Sequence, residues 1–102
     1  MSKSINPIKQ RIMAKLFIVT KTDFENSSGG YRNTECFPFQ NKENAQKKFK
    51  ELRDKEIDEL ENADGGKVDY SVYEDTDSKF EVSWYYGDEE VLIYLHEVEL
   101  CD

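Results

Sequence analysis

Residues 68–100 read VDYSVYEDTDSKFEVSWYYGDEEVLIYLHEVEL, and their alternation decides the fold. Val68, Tyr70 and Val72 alternate with Asp69, Ser71 and Tyr73. Phe80, Val82, Trp84 and Tyr86 alternate with Glu81, Ser83 and Tyr85. A period of two puts successive side chains on opposite faces of a β-strand. Asp75-Thr76-Asp77 separates the runs as a turn. A three-residue loop there sets Val72 opposite Phe80, Tyr70 opposite Val82 and Val68 opposite Trp84, a self-consistent inner face. Lys79 then lies across from Tyr73 on the outer face.

The last run has two registers. With Gly87-Asp88-Glu89 as the loop, Trp84 faces Leu92, and Tyr94, His96, Val98 and Leu100 follow inward. Val91, Ile93 and Leu95 then stand outward beside Tyr85. A two-residue loop at Asp88-Glu89 reverses the facing, and a bulge is then needed to return Val98 and Leu100 to the inner face. Both registers leave apolar residues on the sheet's outer face, which calls for a cover: the N-terminal arm, a second copy or a partner.

Outward from this sheet, residues 41–63 read as a helix. Asn41 is the N-cap. Ala45, Phe49, Leu52, Leu60 and Ala63 share one face with Ile57 on its flank. Lys47–Glu51, Lys50–Asp54 and Lys55–Glu59 are i,i+4 pairs on the solvated side. Asp64-Gly65-Gly66 terminates it. Upstream, KLFIVTKT (15–22) is a strand that turns Phe17 and Val19 one way and Leu16, Ile18 and Thr20 the other, as an interior strand would. After Asn26-Ser27-Ser28-Gly29-Gly30, residues 31–37 pair back as a second strand, which Pro38 confines to an edge or an end. The expectation is an α+β fold in two layers, one helix on a mostly antiparallel sheet of four to five strands, in order β-β-α-β-β-β. Residues 1–12, which carry Lys3, Lys9, Arg11 and no acid, read as a basic arm or leader. Residues 13–102 form a single α+β domain.

Composition bounds the function. The chain is 37% apolar and 35% charged, but its thirteen aromatics concentrate enough buriable area for a core. No apolar run approaches the length of a membrane helix. The N-terminus has no apolar signal core, so a cytoplasmic setting with Cys36 and Cys101 as free thiols is the expectation. The glycosylation-type match at Asn26 then carries no weight.

Charge is segregated. Residues 1–41 sum to +3 and 42–61 to −1, whereas 64–102 hold twelve carboxylates and two cations, a formal −10 in a chain of −8. Such a surface repels phosphates and attracts basic protein surfaces. The Trp84-Tyr85-Tyr86 run with Tyr73 could stack bases, but stacking platforms sit in basic grooves, so direct nucleic-acid binding is not expected. Solubility alone also accounts for acidity, and the two readings are compatible.

Catalytic and metal signatures are missing. The lone histidine, His96, sits in a strand with Cys101 at that strand's end, which is not a preorganised Cys–His pair. Asp75–Glu81 has Lys79 and Phe80 where a calcium loop needs an oxygen ligand and a glycine. Ser27-Ser28-Gly29-Gly30 lacks the Gly-Lys-Ser/Thr ending of a phosphate loop. No C-x-x-C or H-x-E cluster supplies zinc ligands. The expectation is a protein without catalytic residues, cofactor or metal.

In size, acidity and lack of catalytic residues the chain is similar to small phage or mobile-element proteins that inhibit bacterial defence systems, anti-CRISPR proteins and DNA mimics among them; the likeness covers no specific motif. It implies a non-enzymatic protein-binding inhibitor or adaptor. Tyr73, Glu74, Asp75, Asp77, Glu81, Tyr85, Asp88, Glu89 and Glu90 would face a basic protein surface that normally binds nucleic acid. The alternative is a small-molecule or nucleotide-binding domain, homodimeric through the outer face of the sheet over Val91, Ile93 and Leu95, with the Gly-rich loop folding over the ligand.

Overall fold

The computed structural model describes residues 15–26, 29–63, 68–85 and 87–99. The basic arm, Asp64-Gly65-Gly66, Tyr86, Leu100 and Cys101 lie outside the described residues. Five strands and one helix follow in the expected order: β1 (Lys15–Glu25), β2 (Tyr31–Phe39), α1 (Lys42–Glu61), β3 (Tyr70–Asp75), β4 (Lys79–Trp84) and β5 (Glu89–Glu99). The sheet runs β2-β1-β5-β4-β3, antiparallel throughout. One helix covers one face, the α+β architecture that the alternation implied.

β1 lies between β2 and β5, and its odd positions face the helix. Phe17 and Val19 are buried, paired to Phe39 and Phe37 of β2. β2 is an edge strand and carries Pro38 near its end, where a missing N–H costs no interior ladder bond. α1 starts at Asn41, whose side chain accepts from the Asn44 N–H at 3.1 Å. It buries Ala45, Phe49, Glu56 and Leu60, with Leu52 and Ile57 partly buried against the same core. It stops at Asn62, whose N–H and Nδ2 both donate to the Asp58 carbonyl. The Val68 N–H then takes up the Leu60 carbonyl at 2.9 Å, one of the acceptors a helix end leaves open. On the solvated side Glu51 pairs with Lys48, three residues back, rather than with Lys47.

One register differs from expectation, and the last strand takes the second of its two facings through a loop of another length. In the β3–β4 hairpin Val72 lies opposite Val82 and Tyr70 opposite Trp84, two residues from the expected pairing. The cause is a bulge between Val72 and Glu74 in which Tyr73 is the extra residue, together with a tighter turn closed by the Thr76 N–H donating to the Lys79 carbonyl. The inner face is conserved, but Lys79 now faces Tyr94 of β5 rather than Tyr73.

In β5, Trp84 pairs with Glu89, Val82 with Val91 and Phe80 with Ile93. Val91 and Ile93 are therefore buried under the helix with Leu95 beside them, and Leu92, Tyr94, His96 and Val98 take the outer face. The outward placement of Val91, Ile93 and Leu95 is thus corrected, and so is any dimer built on them. The connection has four residues, Tyr85 to Asp88, closed by the Asp88 N–H on the Tyr85 carbonyl at 3.1 Å. It needs positive φ at Tyr85 (55°) and Gly87 (87°), easy for glycine and unusual for tyrosine. No described residue of β5 bulges against β4 or β1, so Val98 stays outward and 40% exposed.

Candidate functional site

Along the helix-facing side of β1 the apolar run ends at Val19, and Lys21, Asp23 and Glu25 continue the same side. Above them α1 lowers Glu56 and Glu59, one helical turn apart. β5 brings Glu89 opposite Glu25, and β2 brings Asn33 opposite Asp23. These residues surround an open cleft of about 380 Å³, which Trp84, Val91 and Glu90 complete. Among the described residues, six carboxylates (Asp23, Glu25, Glu56, Glu59, Glu89, Glu90) thus meet one ammonium, that of Lys21.

Lys21 Nζ stands 3.5 Å from Glu56 Oε1 and 3.9 Å from Asp23 Oδ1. An opposite charge so close normally lowers a carboxyl pKa. Both nevertheless rise above their ordinary values. Burial is the largest cause for Glu56, opposed by Lys21 and reinforced by Glu59 and Asp23. Burial also leads at Asp23, against Lys21 and with Glu35, Glu59 and Glu25 adding repulsion. One ammonium does not offset this much negative charge, so the cleft retains a field that attracts a further cation.

The mouth of the cleft is fixed by Asn26. Its N–H donates to the Asp88 carbonyl at 2.7 Å, and its Nδ2 donates to the Gly87 carbonyl at 2.8 Å and to Glu90 Oε1 at 3.3 Å. The end of β1 is thereby tied to the β4–β5 loop. On that loop Tyr85 is 58% exposed in the left-handed region, which costs a non-glycine residue about 1–2 kcal/mol.

The nine residues expected to face a partner divide into two groups. Tyr85, Asp88, Glu89 and Glu90 gather at the cleft end. Tyr73, Glu74, Asp75, Asp77 and Glu81 gather around β3 and its turn. The two ends of β4 are separated by six residues, roughly 20 Å of strand. In the second group the Arg53 guanidinium holds Asp75 at 3.0 Å, and Ser83 Oγ donates to the Tyr73 hydroxyl at 2.9 Å. The Tyr94 hydroxyl donates to the Glu81 carboxylate. That bond, with burial and the negative charge of Glu81 and Glu74, pushes the Tyr94 hydroxyl up to about 12.

Sequence reasoning missed Lys21, Asp23, Glu25, Glu56 and Glu59. The signal was there in two interruptions: Lys21 and Asp23 extend the Phe17–Val19 side, and Glu56 falls between Leu52 and Leu60 on the apolar face of α1. Among the described residues no cluster of His, Cys, Asp and Glu has the arrangement to hold a metal ion. No described helix is long and apolar enough to cross a membrane. Cys36 is a free, exposed thiol on β2. No protein-family model matches the chain, and no curated protein or solved structure shows significant similarity to it.

Proposed function

We propose that this chain is a non-enzymatic protein-binding module whose acidic end receives a basic protein surface. The observation that carries the reading is the cleft, where six carboxylates surround one ammonium and open to solvent. Beside it Tyr85 offers an exposed aromatic next to a charged rim, the kind of anchor that dominates interface energetics. A partner that normally binds nucleic acid suits this chemistry, because its cations are arranged for phosphates and would meet carboxylates instead. On this reading the protein acts in the cytoplasm as an inhibitor or adaptor of phage or mobile-element type, and touches no nucleic acid itself.

The test is an affinity capture from the native host's lysate at low and high salt, followed by binding measurements with the purified partner. Reversing Asp88, Glu89 and Glu90 to lysine is expected to weaken the complex and flatten its salt dependence. Unchanged affinity and salt slope would remove the acidic-end reading.

A second reading has one observation in its favour. The cleft volume falls within the roughly 300–1,000 Å³ of small-ligand sites. Its carboxylates repel the phosphates of a nucleotide, so the ligand in this case is an organic amine. A rise in melting temperature with polyamines, lost in Glu59→Gln, would favour it over protein binding.

A further inference from the structure

The face of the sheet opposite α1 differs in character from the rest of the molecule. Its two central strands present Leu16, Ile18 and Phe24 from β1 and Leu92, Tyr94 and Val98 from β5. Thr20, Thr22 and His96 fill the positions between them, and the Thr20 hydroxyl lies 3.1 Å from His96 Nε2. By register the only charge these two strands place on this face is Glu90, at the end where Phe24 and Glu90 also border the cleft. The flanking strands add Arg32 from β2, Lys79 and Glu81 from β4 and Glu74 from β3, so the whole face sums to −1 in a chain of −8. The acidity lies on the helix side and at the loop ends.

We propose that this face is covered by a second copy of the same chain, two sheets packing face to face. A basic partner would find few carboxylates here, and a nucleic acid few cations. An apolar and hydroxyl surface is instead complementary to itself. Strands of 11, 9, 6, 6 and 11 residues, spaced about 4.8 Å apart with about 3.3 Å per residue, give a footprint of roughly 700 Å². Specific interfaces bury about 800 Å² per partner, so the face has the size a stable dimer needs.

The residual charges have the matching distribution. Arg32 stands on the β2 edge and Glu74 on the β3 edge. A two-fold axis running along the strands, in the aligned packing of β-sandwiches, lays the Arg32 edge of one copy over the Glu74 edge of the other, twice. Both helices then point outward, and the covered face shares only Phe24 and Glu90, at the β4–β5 loop end, with the acidic cleft.

Sedimentation equilibrium of the full chain over a concentration series decides this. The expected mass is twice the 12.0 kDa chain. Leu92→Lys is expected to return it to 12.0 kDa with an unchanged circular dichroism spectrum. If that variant fails to fold, the exposed Arg32 gives an independent route. Arg32→Glu should raise the dimer dissociation constant about tenfold, the scale of about 1.4 kcal/mol, and adding Glu74→Arg should restore it. A mass of one chain at every concentration overturns the proposal; cross-links from residues 1–14 to Leu92 variants carrying a photoreactive side chain would then assign the cover to the chain itself. A dimer indifferent to both Leu92→Lys and Arg32→Glu also overturns it, since the contact then lies elsewhere.

Discussion

Replacing Lys21 by methionine tests the reasoning about the cleft most directly. The Lys21 side chain is 21% exposed and that of Glu56 only 8%, so the pair is largely out of water. At an effective dielectric constant of about 20, a contact of 3.5 Å carries roughly 4–5 kcal/mol of gross attraction, most of it offset by desolvation. Removing one partner of a buried pair typically costs about 3–5 kcal/mol, because the other charge stays buried and unmatched. Lys21 keeps some contact with solvent, so the cost falls at or just below the lower end of that range, about 2–3 kcal/mol at neutral pH. For a domain of this size that lowers the melting temperature by roughly 10–20 °C.

The pH dependence follows from the raised carboxyl pKa values of Glu56 and Asp23. A carboxyl whose folded pKa lies above its unfolded one contributes stability that is fully present below the unfolded value and is lost as pH rises through the folded value. In wild type these two groups therefore favour the folded state on mild acidification from neutrality. In Lys21→Met both pKa values rise further, and the deficit against wild type shrinks as the pair protonates. Urea titrations at neutral pH and at successively lower pH measure this, and Lys21→Met/Glu56→Gln should recover most of the loss. A deficit below about 0.5 kcal/mol, or one that is equal at neutral and acid pH, would refute the account of the cleft.

Phe80 is fully buried beneath the helix, and Phe80→Ala should cost about 3–5 kcal/mol, read as a fall in the urea midpoint with little change in slope. Tyr85→Gly should raise stability by up to about 1 kcal/mol, as relief of the left-handed strain exceeds the added chain entropy, while partner affinity falls. A loss of stability in that variant would show that Tyr85 is held by packing. The Tyr94 hydroxyl should ionise at about 12 in an ultraviolet absorbance titration, and Glu81→Gln should bring it down toward 10. Because the unfolded chain ionises this tyrosine near 10, its contribution to stability is present below that pH and lost as pH rises through 12.

The layer order, the N-cap at Asn41 and the inward set Phe17, Val19, Phe80 and Val82 were legible because one face of each element is apolar and the other is not. The facing of β5 was not, because Val91, Ile93 and Leu95 on one side are as apolar as Leu92, Tyr94 and Val98 on the other. Loop length had to decide, and that rests on a positive φ at Tyr85 that local preference argues against. The bulge at Tyr73 leaves no mark in composition. The cleft is harder still: its carboxylates come from three elements, β1, α1 and β5, and its cation lies in the segment with the least acidity. Each looks like an ordinary solvated residue until the sheet brings Asp23 under Glu56.

The position of β5 has a consequence for how the chain reaches this state. The strand made last among those described is the middle one, and Lys15 must find Glu99 across 84 intervening steps of chain. Until β5 arrives, β1–β2 and β3–β4 are two separate hairpins, each of marginal stability alone. During synthesis the β1–β2 unit and α1 emerge first, and the core between them stays open on its β5 side until residues 89–99 leave the ribosome. Closure is therefore a late, long-range event of the kind that folds slowly and invites aggregation on the way. A strand inserted between two waiting hairpins makes the sheet all-or-none: losing β5 would leave two fragments with no shared edge.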